Sequence, residues 1–317
     1  EAHCTTAAAV GKLSGGQFST SAAEISLRMR LADELRQILM MDSGFPGGEY
    51  TDTDELLRKV AIEGAFLDVE EMLALRRALT SVRDLTVFFA GKEPGTYPEL
   101  EKLSAAVDAF PWIIAAIDGI ADRFGNVRDD ASEELSIIRR RIRGLEGQAS
   151  KKLQQVLASA RSAGIVDSDA TISIRDGRPV IPVSAANKRK LKGFIHDESA
   201  TGKTFFVEPV EVVEINNELK ELEYDERREI VRILTEFTEG IRPECDGLAA
   251  SGDYLTDIDM IRAKARFALD NGCAMPRLSE DGTLELRQER RPLLQPAPDK
   301  EGRRVVPPGR RLTQRTP

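Results

Sequence analysis

The sequence predicts a mainly α protein: an irregular helical core, and two long antiparallel helices that carry a small antiparallel β module at their tip. Three observations lead there. Charged residues make up 31% of the 317-residue chain and aromatic residues 5%, a composition that favours long solvated helices over a β sandwich. Apolar residues recur by threes and fours in two stretches: Ala131, Leu135, Ile138, Ile142, Leu145, Ala149, Leu153, Val156 and Ala160 in the first, and Val212, Ile215, Leu219, Leu222, Ile230, Ile233, Phe237 and Ile241 in the second. Between them, Thr171 to Glu208 is the one segment where β-branched and aromatic residues alternate with polar ones in short runs broken by turn residues.

The elements follow in order. Ser21 to Glu24 has the spacing of a capping box and opens a helix over about 22–41, which Gly44, Pro46, Gly47 and Gly48 close. A short helix over 53–63 ends at Gly64. Asp68 and Glu71 start the next, which runs to about Ala90 with Met72, Leu79, Val82 and Phe89 as core candidates. Two more are expected near 98–110 and 112–124, and the single Trp112 is read as core. The first long helix spans about 129–163 and the second about 210–241, stopped by Pro243. A further helix over 253–270 ends at Asn271 and Gly272. The reading divides the chain into a helical core (1–125), a first long helix (126–164), a β module (165–209), a second long helix (210–242), a helical return (243–290) and a tail (291–317). That tail is rich in Pro and Arg and is expected to be poorly ordered.

The two long helices differ in charge. The first is basic, with Arg139, Arg140, Arg141, Arg143, Lys151 and Lys152; the second is acidic, from Glu211 to Glu229. A shared apolar seam with opposite charges favours antiparallel pairing, although each exposed pair contributes only ~0.2–1 kcal/mol.

Composition narrows the function classes. The net charge of −8 argues against indiscriminate coating of nucleic acid, so any such contact is local. Cys4, Cys245 and Cys273 are widely spaced and only two histidines occur, which supports neither a zinc site nor a disulfide framework. The longest apolar runs fall short of the ~20 residues that cross a bilayer. The expectation is a reduced, cytoplasmic protein without a membrane partner.

Several motifs invite chemistry and do not sustain it. Gly202-Lys203-Thr204 resembles the end of a phosphate loop, but Asp197 stands where that loop needs glycine and a strand follows where it needs a helix. His196, Asp197 and Ser199 supply the letters of a catalytic triad on one strand, whose neighbours alternate faces, so His196 reads as a surface histidine. No catalytic residue, metal ligand or bound cofactor is assigned to this chain. Lys188, Arg189, Lys190 and Lys192 place four cations in one connection between strands, which suits phosphate contact. An ordinary solvated turn is the other reading of that composition. Phe194, Phe205 and Phe206 are expected to fill the module's own core.

From Val180 to Ile230 the chain resembles the MutS-two branch of the MutS superfamily, the branch without the mismatch-reading domain. The resemblance rests on Gly193 through Pro209 followed by Glu214-Ile215-Asn216-Asn217-Glu218-Leu219. It continues more weakly at Cys4-Thr5-Thr6, over 253–270, and at Arg290-Arg291-Pro292-Leu293-Leu294. Phe206-Val207-Glu208 spells the wedge of mismatch-reading relatives, but inside the β module, so mismatch reading is not carried over.

The resemblance implies that the β module is a clamp and the long helices its levers, in an N-terminal fragment without the family's ATPase and Smr nuclease-like domains. It implies DNA, branched or recombining, or collided ribosomes as partners, with ATP, magnesium and homodimerisation belonging to the intact protein. Arg178, Lys188, Arg189, Lys190, Lys192 and Lys203 are the expected nucleic-acid contacts. A structural coiled-coil module that contacts a protein is the alternative.

Overall fold

The computed structural model of the protein describes residues 2–16, 18–175, 177–279, 283–286 and 309–312. The chain is mainly α and folds as two compact units: residues 1–63, 71–114 and 241–317, and residues 64–70 with 115–240. Among the described residues no helix is long and apolar enough to cross a membrane.

The first unit is mainly helical. It contains α1 (Ala7–Ser14), α2 (Ala22–Met41), α3 (Asp54–Val60), most of α4 (Val69–Ala90), α5 (Pro98–Ser104), the start of α6 (Pro111–Ile120) and a long helix over Cys245–Asp270. The core joins Leu35 and Ile38 of α2, Val82, Leu85 and Phe89 of α4, and Leu255, Ile258 and Ile261 of the long helix. Two buried carboxylates fix this packing. Glu34 accepts the amides of Glu99 (3.2 Å) and Leu100 (3.0 Å), donors that the first turn of α5 leaves unsatisfied. Asp259 accepts the Thr5 and Thr6 amides (2.8 and 2.9 Å), the Thr6 hydroxyl (3.0 Å) and the Arg262 guanidinium (3.1 Å).

Several expectations are corrected here. The 22–41 helix has the bounds its sequence predicts, and the Ser21 hydroxyl accepts the Glu24 amide. The Glu24 carboxylate, however, takes the Ser19 hydroxyl, and Ser19 in turn serves the Ser21 amide. The helix expected from residue 253 starts at Cys245, because Pro243 lies in a 3-10 turn over Arg242–Glu244, where its missing donor costs nothing. Trp112, expected in the core, is 49% exposed near the start of α6.

The second unit contains α7 (Glu133–Ser162) and α8 (Val210–Ile241), with the β module between them; the Cys245–Asp270 helix of the first unit is α9. The long helices are antiparallel. Ser132 caps α7 through the Leu135 amide (3.0 Å) and donates to Glu229 (2.6 Å), while Arg139 bonds Glu226 (2.7 Å) and Arg141 bonds Glu218. Partner numbers fall on α8 as they rise on α7. The opposite charges thus meet across the seam, although Arg139 and Arg143 also bind Asp129 (2.7 and 2.8 Å). Apolar packing concentrates at the two ends: Val127, Leu135 and Ile233 form one cluster, and Leu153, Leu157, Ala160 and Val212 join the β module in the other.

The module is a four-stranded antiparallel sheet of β1 (Ser173–Arg175), β2 (Arg178–Ser184), β3 (Gly193–Glu198) and β4 (Thr204–Pro209), in the order β1-β2-β4-β3. β2 and β3 both pair antiparallel with β4. Residues 185–192 therefore cross from β2 to β3 past β4, where the sequence suggested a turn. The tail residues 310–312 form β6 (Arg310–Leu312), which pairs with β5 (Leu284–Leu286). Arg290 through Leu294, and the remainder of the tail, lie outside the described residues.

Candidate nucleic-acid interface

Facing residues of paired strands share one side of the sheet. Ile181 faces Val207 and Val183 faces Phe205, and this side packs on Leu153 and Leu157 of α7 with Leu191 of the crossover. Phe206 therefore points to the other side. There the Arg175 guanidinium lies 4.0 Å from its ring centre and reaches Asp197 of β3 at 3.1 Å. On a flat sheet Arg175 and Phe206 would be separated by two strands and four residues, about 16 Å between Cα atoms. The β1–β2 ribbon thus curls over this side, and Val180 and Ile181, successive yet both fully buried, mark the bend.

The crossover presents the predicted cations. Lys188 lies over the Phe205 ring at 4.3 Å, its ammonium covering the edge of the apolar cluster. Arg189, Lys190 and Lys192 are exposed, as is Lys203 in the β3–β4 turn. The Ala185 amide donates to the Lys203 carbonyl (2.9 Å), which holds the start of the crossover beside that turn. The turn itself closes through the Gly202 amide on the Ser199 carbonyl (2.7 Å), with Gly202 at φ 66. Gly202-Lys203-Thr204 thus leads into β4 and not into a helix. That geometry does not fit a nucleotide phosphate, and no nucleotide step is assigned to these residues.

Arg178 stands apart from the other five. It donates to both oxygens of Glu208 (3.0 and 3.1 Å) and to the Asn217 side chain (3.0 Å). Glu208 is 1% exposed. It also meets His196 Nε2 (2.5 Å) and accepts from Asn216 (2.6 Å). One carboxylate on β4 thus ties together β2, β3 and the first turns of α8. Burial works to raise its pKa, and the hydrogen bonds from Asn216, His196 and Arg178 outweigh it and hold the carboxyl below the usual range. Arg178 is therefore a strut between sheet and helix more than an open phosphate contact.

His196 is not the surface histidine that strand alternation suggested. Ile195 faces Val207 while Asp197 faces Phe206, so His196 is the extra residue of a β-bulge, which turns its ring toward Glu208. The phenylalanines also depart from expectation. Phe205 joins the apolar cluster, but Phe206 lies on the opposite side and Phe194 is 59% exposed on the edge strand.

The stretches that carry the sequence resemblance include most members of this joint: Gly193, His196, Glu208, Asn216 and Asn217. At Gly193 a Cβ would lie 2.2 Å from the Glu208 carbonyl oxygen, so only glycine permits the approach of β3 to β4. One sequence signal pointed to the joint, since Asn216 interrupts the apolar face of α8 and is buried there.

No family model matches the chain. Curated relatives do. The chain is 35% identical over 262 residues to a protein named Endonuclease MutS2 from Pelotomaculum thermopropionicum, covering 83% of the chain and 33% of that protein. It is 34% identical over 278 residues to Endonuclease MutS2 of a Geobacillus species, covering 87% and 35%. Endonuclease MutS2 of Streptococcus sanguinis is 33% identical over 264 residues, covering 83% and 33%. The chain spans about a third of the length of these relatives.

Proposed function

Because the chain belongs to the MutS-two branch of the MutS superfamily, we propose that its β module is a clamp that grips nucleic acid and that α7 and α8 are the levers that move it. The observation that carries this reading is the crossover. In a chain of net charge −8, Arg189, Lys190 and Lys192 are exposed along the crossover, which runs from the Thr204 end of β4 to its Pro209 end. Lys203 is exposed beside the Thr204 end. Among the described residues none of these cations has an ion-pair partner. Cations on a crossover that is hydrogen-bonded beside β4 at both ends, without carboxylates to neutralise them, suit phosphate contact, which sets position and not sequence.

The Glu208 joint supports the lever half of the proposal. A helix that moves carries the sheet with it when one buried carboxylate binds both. In the intact protein the grip would be coupled to an ATPase, act on branched DNA or collided ribosomes, and work within a homodimer.

The test is charge reversal of Lys188, Arg189, Lys190 and Lys192 to Glu. Affinity for a four-way DNA junction, read by fluorescence anisotropy, should fall by at least about a hundredfold, and the dependence on salt should flatten by about 0.9 for each phosphate that is no longer neutralised. Co-sedimentation with ribosomes, run in parallel, separates the two partners. Unchanged binding to both overturns the clamp reading and leaves a protein-contacting module.

A further inference from the structure

Phe194, Phe205 and Phe206 are the only aromatic rings between residues 165 and 209 apart from His196. Two of them are capped by cations of this same chain: Lys188 lies over Phe205 and Arg175 over Phe206. Among the described residues no cation covers Phe194. It is 59% exposed on β3, the edge strand of the sheet, and its facing residue on β4 is the buried Glu208. The bulge at His196 and the close approach at Gly193 pin β3 on either side of it, so the ring stands on a rigid strand.

A single exposed apolar side chain is ordinary on a protein surface. The surroundings make this one specific. Residues 185–204 hold five cations against two carboxylates, and one of those, Asp197, is already paired with Arg175. An apolar protein segment would gain little from such a fringe. A single nucleic-acid strand alternates planar bases with phosphates, and a ring flanked by unneutralised cations matches both. Duplex bases are stacked inside the helix and offer no face to it.

We propose that Phe194 is a stacking platform for an unpaired base of the strand that the crossover cations hold. This rests on the clamp reading and adds a contact to the face of an unpaired base, and with it a preference for single strand over plain duplex.

The experiment measures binding of the full chain to a labelled oligothymidylate and to a duplex of equal length at fixed salt, for wild type, Phe194→Ala, Phe194→Leu and Phe194→Trp. Phe194→Ala should weaken oligothymidylate binding about tenfold and leave the duplex unchanged, with Phe194→Trp restoring the loss and Phe194→Leu not. Oligouridylate should respond in the same proportion, since the ring meets only the base face. Because the side chain is exposed, the thermal melt should not move. Equal effects on single strand and duplex, no effect on either, or full rescue by leucine overturns stacking while the lysine-dependent grip stands. Absence of any nucleic-acid binding by the wild type removes the clamp reading as well.

Discussion

Two sets of three phenylalanines are treated in opposite ways in this molecule. In the helical unit Phe45, Phe88 and Phe89 pack edge to face, with ring centres 5.4, 5.2 and 6.4 Å apart, and one cation, Lys92, touches the set at 4.3 Å from Phe88. Their mutual packing adds to the area they bury. In the β module Phe194, Phe205 and Phe206 point to different sides of a thin sheet, where two hold cations and the third is open. A four-stranded sheet of short strands cannot bury both sides with its own side chains. Its stability must come from elsewhere, and its aromatic rings become available to organise charge. The helical unit adds two buried carboxylates, Glu34 and Asp259, to a large apolar core. The module has an apolar cluster on its α7 side only, and its other side is held by one buried carboxylate, with close backbone approach between β3 and β4.

The largest expected effect tests that contrast directly. In Gly193→Ala the new Cβ would meet the Glu208 carbonyl oxygen at 2.2 Å and Val207 Cγ1 at 2.6 Å. Backbone cannot move aside as a side-chain tip can, so β3 must separate from β4. The expected cost is about 3 kcal/mol, the upper end for overpacking. Amide exchange should show protection lost in the edge strand β3, over 193–198, while β4 stays paired with β2 and the amides of α2 and α9 keep theirs. Retained protection in β3 would show that the edge is held by something other than this approach.

A second, smaller contrast concerns the two carboxylates Glu34 and Glu208, which should give the units opposite responses to acid. Burial raises the pKa of Glu34, outweighing the Leu100 and Glu99 amides that lower it. Its contribution is then fully present below the unfolded value of about 4.3 and is lost as pH rises through the folded one. At Glu208 the hydrogen bonds from Asn216, His196 and Arg178 outweigh burial and the pKa is lowered. That contribution is present above about 4.3 and is lost as pH falls through the folded value. On acidification from neutral pH, the Leu100 amide at the start of α5 should gain protection before the β4 amides lose theirs. Parallel loss at both sites would contradict the opposite signs.

What the sequence shows of all this follows from how far each signal extends. The bounds of α2 and α8 are legible because caps, breaks and a repeated apolar face agree over many residues. The cations of the crossover are legible as composition. Their path across β4 is not, because it depends on the order of strands in the sheet. A bulge is one residue long, so nothing periodic reports that His196 turns inward. The partners of Glu208 come from positions 178, 196 and 216, and no local pattern joins them. Trp112 misleads for the converse reason. A large apolar residue is usually buried, and this one, beside Pro111 at the start of α6, faces out.

The smallest effect contrasts glycines inside two helices. Gly252 of α9 belongs to the helical unit, and a Cβ there would lie 2.4 Å from the hydroxyl of the buried Thr53. At Gly144 and Gly147 of α7 a Cβ would meet nothing within 4 Å among the described residues beyond its own helix backbone. Both glycines lie between the two apolar clusters of the long helices, where Ile142 and Leu145 are only half-buried. Alanine there meets no obstacle and removes the entropy that glycine costs in a helix, so Gly144→Ala and Gly147→Ala should each stabilise by about 0.5–1 kcal/mol. Gly252→Ala gains the same helix propensity but must displace Thr53, so it should destabilise by about 1 kcal/mol. Urea midpoints at constant m-value give both signs. If all three alanines stabilise, the helical unit yields more easily than its packing indicates. If the two in α7 destabilise, the middle of the long helices is packed where the side chains show open space.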